Sequence, residues 1–291
     1  MIYVIENEAI KVSVDSLGAE LVSAVGKDGY EYVWQGDPEY WAGHSPVLFP
    51  HCGQILNGSY TTGGVEYRMR AHGLARDFEF SPTRVTKTEL VLTLTANEET
   101  KKIYPFDFAL TARFAVEDNA LVAEFTVENK GDKVMPYMFG WHPAFTLDNA
   151  GGSAIGEYKL SMNAGESVSW YPLQHGCFVR PYGEDYATPA GEYYLDEKEI
   201  YDNDTMIFVG TGERAVLSCE KENHDVDFSW SKNLPYFCIW KAPHSEARYI
   251  CLEPWSDVPG DGEASENFDT KKMSRLAAGA KEVYSYNAKF C

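Results

Sequence analysis

Apolar residues in this chain recur at every second position. In Glu89-Leu90-Val91-Leu92-Thr93-Leu94-Thr95 the leucines share one side of an extended backbone and Val91, Thr93 and Thr95 the other. That is the period of a β-strand and not of a helix. The alternation returns in Leu121, Ala123, Phe125 and Val127, and with Phe106 to Thr111 on the other side of Glu117-Asp118-Asn119 it predicts a hairpin. Further strands are expected at 159–162, 206–209, 215–218, 236–240, 249–252 and 281–288. The best helical piece, 267–278, has basic and small residues but little apolar stripe. Many strands without alternating helices predict an all-β fold of antiparallel sheets, stacked as a sandwich or closed as a barrel, and exclude a parallel α/β fold. The spacing keeps one scale and shows no internal repeat, so residues 1–291 are expected to form a single domain. Two acidic, small-residue stretches, 183–200 and 257–269, read as long loops, a class more often functional than not.

Charge removes several partner classes. A net charge of -19 repels polyanions, so nucleic acid and anionic membrane surfaces are not expected partners. No stretch has the apolar length of a bilayer span, and Met1-Ile2-Tyr3-Val4-Ile5-Glu6 lacks the basic start of a secretory leader, so a cytoplasmic location is the expectation. Nothing in the sequence marks an interface, which leaves monomer and homodimer both open. The 6 cysteines show no Cys-x-x-Cys spacing, so neither a zinc site nor a disulfide framework is indicated, and Cys238 and Cys251 read as small core residues.

Two short motifs carry chemistry. Gly140-Trp141-His142-Pro143 and Leu252-Glu253-Pro254-Trp255 each place an ionisable residue directly before a proline and beside a tryptophan. Proline disfavours the helical region for the residue before it, so His142 and Glu253 are expected in extended backbone, at strand ends that face a cleft. A histidine and a carboxylate facing each other can take one proton and give another near neutral pH, which is what opening and closing a hemiacetal ring requires. Trp141 would offer a flat apolar wall to a sugar. The competing reading is that both residues only satisfy backbone groups at a strand edge. A third element is Ala71-His72-Gly73-Leu74-Ala75-Arg76, where Gly73 lets the backbone approach a ligand and Arg76 supplies a fork of donors for oxygen-rich groups.

With these motifs in place, the chain resembles the aldose 1-epimerase, or galactose mutarotase-like, family, in particular its bacterial mutarotase-related branch found among sugar-utilisation genes. The landmarks run through most of the chain: Pro46-Val47-Leu48-Phe49-Pro50 followed by Gly53, His72-Gly73-Leu74-Ala75-Arg76, Gly140-Trp141-His142-Pro143-Ala144-Phe145, Asn203-Asp204-Thr205-Met206-Ile207-Phe208, and Leu252-Glu253-Pro254-Trp255. The resemblance implies a large antiparallel β-sandwich whose cleft holds a pyranose, with no metal and no organic cofactor in the chemistry. It implies that His142 is the general acid, Glu253 the base and His72 a second active-site histidine, that Asp204 binds sugar hydroxyls, and that Arg76 is a cation on the substrate side. One departure stands out. Where the family pattern commonly has arginine this chain has Gln54, a neutral amide, which tilts the expected substrate toward neutral aldoses rather than hexose 6-phosphates. His44 and His51 would compensate only if protonated, and otherwise read as loop histidines without a ligand.

The expected reaction is therefore anomer interconversion of a small-molecule aldose, with protonated His142 delivering a proton to the ring oxygen as Glu253 takes one from the C1 hydroxyl. Neighbouring carboxylates should keep His142 protonated, unless the pocket is too apolar. Two other readings fit parts of the pattern. A glycoside hydrolase would use Asp204 and Glu253 as its carboxylate pair, and a binding or sensory protein would keep the pocket without turnover.

Overall fold

The computed structural model describes residues 1–147, 152–162, 168–174, 178–179, 186–188, 191–203, 205–243, 246–260 and 265–291. Within them the alternation dictates the architecture. Leu90, Leu92 and Leu94 are all buried on the strand Glu89–Thr95, while Thr93 faces outward and its hydroxyl meets that of Thr111 at 3.1 Å. Phe108–Glu117 and Ala120–Asn129 form the expected hairpin, with Glu117 opposite Ala120 and Asp118 at the turn with φ 49.

Two nine-stranded sheets dominate the described residues. One runs in the order Glu192–Tyr194, Tyr158–Met162, Arg214–Cys219, Val226–Trp230, Lys281–Phe290, Ala120–Asn129, Phe108–Glu117, Glu89–Thr95, Ser81–Val85. The other runs Phe178–Val179, Val168–Gln174, Thr205–Val209, Tyr236–Trp240, Tyr249–Trp255, Gly140–Trp141, Val47–Leu48, with Ala144–Thr146 also paired to Tyr249–Trp255 and Tyr186–Thr188 to Val168–Gln174. Between the named strands pairing is antiparallel throughout the described residues, except where Glu266–Asn267 adds in parallel to Ser59–Thr62.

The core lies between the two sheets. Trp141, from the second sheet, meets Phe125, Phe228 and Tyr286 of the first at ring-centroid distances of 5.8, 6.2 and 5.3 Å. Phe237 and Trp230 stack across the same gap at 4.7 Å. Truncating an aromatic in such a layer costs about 3–5 kcal/mol, because the surrounding strands cannot collapse into the space.

As its weak apolar stripe implies, 267–278 forms no helix and holds turns and the strand Ser274–Leu276. The two α-helices among the described residues are short, Glu98–Ile103 and Glu197–Asn203. The first is held by an Asn97 cap that accepts from the backbone of Glu99 and Thr100. The sequence reading needs one correction: the stretch 183–200 is no plain loop, since it contains the strands Tyr186–Thr188 and Glu192–Tyr194 and the start of the second helix.

Candidate active site

Strand parity decides which side chains meet. On Tyr249–Trp255 the residues Tyr249, Cys251, Glu253 and Trp255 leave the strand on one face and Ile250, Leu252 and Pro254 on the other. Cross-strand pairing of Cys238 with Glu253 and of Trp240 with Cys251 puts those two neighbours on the same face as Glu253. Gly140 pairs with Trp255 on that face as well. Its lack of a side chain is required there, because a Cβ would stand 2.6 Å from the Trp255 ring. Trp141 then points the other way, into the core, and His142 returns to the face of Glu253.

The outcome is a close pair. His142 Nε2 lies 3.1 Å from Glu253 Oε1, and both residues are buried, at 6% and 1% exposure. The His142 amide donates to Pro46 O and the Leu252 amide to Pro143 O, so the two motifs are stitched together by backbone.

His72 closes the third side. Its ring stands edge-on to His142 at 5.5 Å and to Trp255 at 6.1 Å. It occupies left-handed backbone, φ 66, ahead of Gly73, whose Cβ would fall 2.2 Å from Phe49 O. The Gly53 amide donates to His72 Nδ1 at 3.2 Å, which leaves Nε2 as the protonated nitrogen of the neutral ring. Burial, followed by the charges of Arg76, His51 and Arg70, pushes the His72 pKa down to about 3. Arg76 is half-buried in the turn Ala75–Asp77. Its neighbour Asp77 is taken by Arg70 at 2.7 Å, and among the described residues no carboxylate lies within ion-pair distance of Arg76. It is a fork of donors left for something else.

Behind His72 lies a buried ionic cluster. His51 is fully buried, with Nε2 3.2 Å from Glu266 and Nδ1 3.4 Å from Gly53 O, and Lys271 reaches Glu266 at 3.0 Å. Burial alone would raise the Glu266 carboxyl, but hydrogen bonding to His51 and the charges of His51 and Lys271 outweigh it and hold it at about 2. His51 is thus no idle loop histidine: through Gly53 it supports the backbone that positions His72.

The remaining sequence candidates fare unequally. Trp141 does not face the cleft. It is fully buried against the opposite sheet, and its Nε1–H donates to Ser45 O at 3.1 Å, because it is one residue out of phase with His142. Gln54 is exposed beside Gly53 and makes no side-chain hydrogen bond among the described residues. His44 is half-buried, 3.9 Å from Glu20. Asp204 lies outside the described residues. The expectation that carboxylates hold His142 protonated is also overturned: burial, with His72 and Arg76 acting in the same direction, holds its pKa well below the ordinary value.

Other residues at the site were not singled out. Trp41 stacks on His142 at 5.3 Å and Trp240 meets it edge-on at 5.6 Å. Trp41 also stacks on Tyr249 at 5.6 Å, and the Trp34 indole donates to Trp41 O at 2.8 Å, holding the turn in place. The parity of Trp240 and Cys251 relative to Glu253 would have found those two once the strand register was known, whereas Trp41 sits in a turn and leaves no periodic signal. His142 Nδ1 and Trp255 Nε1 are buried without a hydrogen-bond partner among the described residues, an uncommon state for polar atoms unless a ligand uses them. Hollows of about 530 Å³ beside Lys159 and Tyr194 and about 240 Å³ beside Tyr32 and Phe290 share no residue with this cluster. The assignment therefore stands on convergent chemistry and not on concavity.

Comparison with known proteins points to one family and one fold. A family model described as Aldose 1-epimerase matches residues 1–262. Protein LacX of Lactococcus lactis subsp. lactis, in its plasmid and chromosomal forms, is 30% identical over 268 residues, covering 87% of this chain and 87% of the relative. Among solved structures, the galactose mutarotase related enzyme from Lactobacillus acidophilus superposes with a TM-score of 0.93 at 29% identity, over 100% of this chain and 97% of its own. A galactose mutarotase-like protein from Lactobacillus casei ATCC 334 gives 0.93 at 29% identity over 100% of both chains. In helix-poor, sheet-on-sheet architecture this chain shares their β-sandwich.

Proposed function

The chain belongs to the aldose 1-epimerase family, and from that premise we propose that it interconverts the α and β anomers of a free hexose by acid/base opening and reclosure of the ring. The observation that carries this reading is the buried His142–Glu253 pair at 3.1 Å. The C1 hydroxyl and the ring oxygen are bonded to the same carbon, so two groups within hydrogen-bond reach of each other can address both.

One proton on the pair is enough. Glu253 takes the C1 hydroxyl proton while His142 delivers one to the ring oxygen, and the C1–O5 bond breaks to an open-chain aldehyde. Rotation about C1–C2 turns the other carbonyl face inward, and reclosure with the roles exchanged gives the opposite anomer. Because burial disfavours the charged imidazole, protonated His142 gives up its proton readily to the ring oxygen. His72 Nε2–H and the Arg76 fork supply donors to sugar hydroxyls, and the half-buried Trp41 and Trp240 offer ring faces to the pyranose. Exposed Gln54 puts no charge beside Gly53, which supports a neutral aldose.

Proton exchange spectroscopy on freshly dissolved α-glucose, α-galactose and glucose 6-phosphate tests activity and substrate class together. Catalysed exchange of the free sugars is the expected result. Exchange at the solvent rate with all three would rule out the enzyme reading, and release of reducing sugar from oligosaccharides would favour a hydrolase.

A further inference from the structure

The acid/base pair has a third metal-competent neighbour. Cys251 stands two residues before Glu253 on Tyr249–Trp255 and projects from the same face. Donor atoms of His142, Cys251 and Glu253 all lie within 4.8 Å of one another, and all three residues are buried. Zinc binds nitrogen and oxygen at about 2.0–2.2 Å and sulfur at about 2.3 Å in a tetrahedron, so neighbouring donors stand a little over 3 Å apart. The 3.1 Å between His142 Nε2 and Glu253 Oε1 already matches such an edge. His142 Nδ1 is buried with no partner among the described residues, so no hydrogen bond from that side locks the ring against ligation.

We propose that His142, Cys251 and Glu253 form a binding site for one soft divalent cation of the zinc and cadmium class, and that its occupancy stops proton transfer. A thiolate and a carboxylate together neutralise a dication in a buried place, and the thiolate selects zinc or cadmium over magnesium and calcium, which take all-oxygen shells. Three protein ligands leave the fourth position to water. Binding releases the Cys251 thiol proton, and any proton held by the pair, to solvent, so affinity rises with pH. The binding claim stands on geometry alone; the inhibition claim rests on the function proposed above, since the metal takes the lone pairs that the proton shuttle needs.

The test uses metal-free full-length protein carrying Cys291→Ser, which removes the one exposed thiol among the described residues, titrated with cobalt(II) and cadmium(II) chloride. One equivalent is expected to raise a thiolate-to-metal charge-transfer band that is absent from Cys251→Ala and Cys251→Ser in the same background. Glu253→Gln should keep the band but weaken the apparent affinity at least tenfold, which keeps the test decisive should the Cys251 variants fail to fold. In the exchange assay zinc chloride should inhibit the parent at a concentration at least tenfold below that needed for Cys251→Ala, and magnesium chloride should affect neither. Absence of the band, its survival in Cys251→Ala, or unchanged affinity in Glu253→Gln overturns the site. Activation by zinc overturns the inhibition. Absorbance needs no sugar, so failure of the epimerase reading leaves the binding result standing, and the reverse.

Discussion

Trp141 and His142 are consecutive residues with opposite surroundings, and so are Leu252 and Glu253. One member of each couple faces the opposing sheet; the other belongs to the candidate site on the opposite face. Across the core face the contacts of Trp141 are ring on ring, and its single polar atom is satisfied by Ser45 O. On the other face, among the described residues, Trp255 Nε1 and His142 Nδ1 have no partner and Arg76 has no ion pair, and a neutral His72 stands beside them. The difference teaches that chemistry and stability are segregated by strand parity within one sheet, at a spacing of one residue.

The sharpest way to break this comparison is to remove one ionisable group from the candidate site. Glu253→Gln and His142→Asn should each slow anomer exchange by about 10²–10⁴-fold, on the order of 3–5 kcal/mol of barrier, with thermal melting little altered. Exchange near the parent rate in either variant would remove the pair from the mechanism. The reciprocal change, Trp141→Ala, should cost about 3–5 kcal/mol in denaturant melts. Whatever protein remains folded should retain its rate per active molecule, and a selective loss of turnover at full stability would show that Trp141 serves the cleft after all.

Smaller effects refine the boundary. Trp41→Ala removes a stacked, half-buried ring and should weaken sugar binding by about 0.5–1.5 kcal/mol, roughly a two- to tenfold rise in KM, while the melting midpoint barely moves. A change confined to kcat would instead make Trp41 a positioning residue for His142. The effect on acid stability is small near neutrality and grows as pH falls. The folded state holds His72 at about 3 against an ordinary 6.5, so below pH 6.5 the unfolded chain binds a proton that the folded chain refuses. Stability is therefore fully present above 6.5 and is lost as pH falls from there toward 3, by about 1 kcal/mol between pH 7 and 5.5. Glu266, held at about 2 against 4.5, adds loss in the same direction below 4.5. His72→Asn should flatten the upper part of that slope, whereas a core-face change such as Leu252→Val should shift the curve without altering its shape.

Much of this organisation was legible in the residue order, and the failures have physical causes. The alternation in 89–95, 121–127 and 281–288 predicted strands that form where expected, because a half-buried strand leaves a period of two that no helix shares. His142 and Glu253 stood out because proline restrains the residue before it. Trp141 departs from the expectation because adjacency in sequence is not adjacency in space: the pleat sends neighbours to opposite sides. Trp41 was invisible because a turn has no period, and the His51–Glu266 pair because its partners are 215 residues apart.

That separation governs the order in which the molecule can assemble. Hairpins such as 108–129 close over short loops and form early, but Glu266–Asn267 must find Ser59–Thr62, and Asp269 must find Thr62, across some two hundred intervening residues. Loop-closure entropy makes so distant a docking a late event. Synthesis from the amino terminus sharpens the point: His51 emerges from the ribosome long before the carboxylate that holds it, so the support behind His72 is among the last parts of the molecule to be completed.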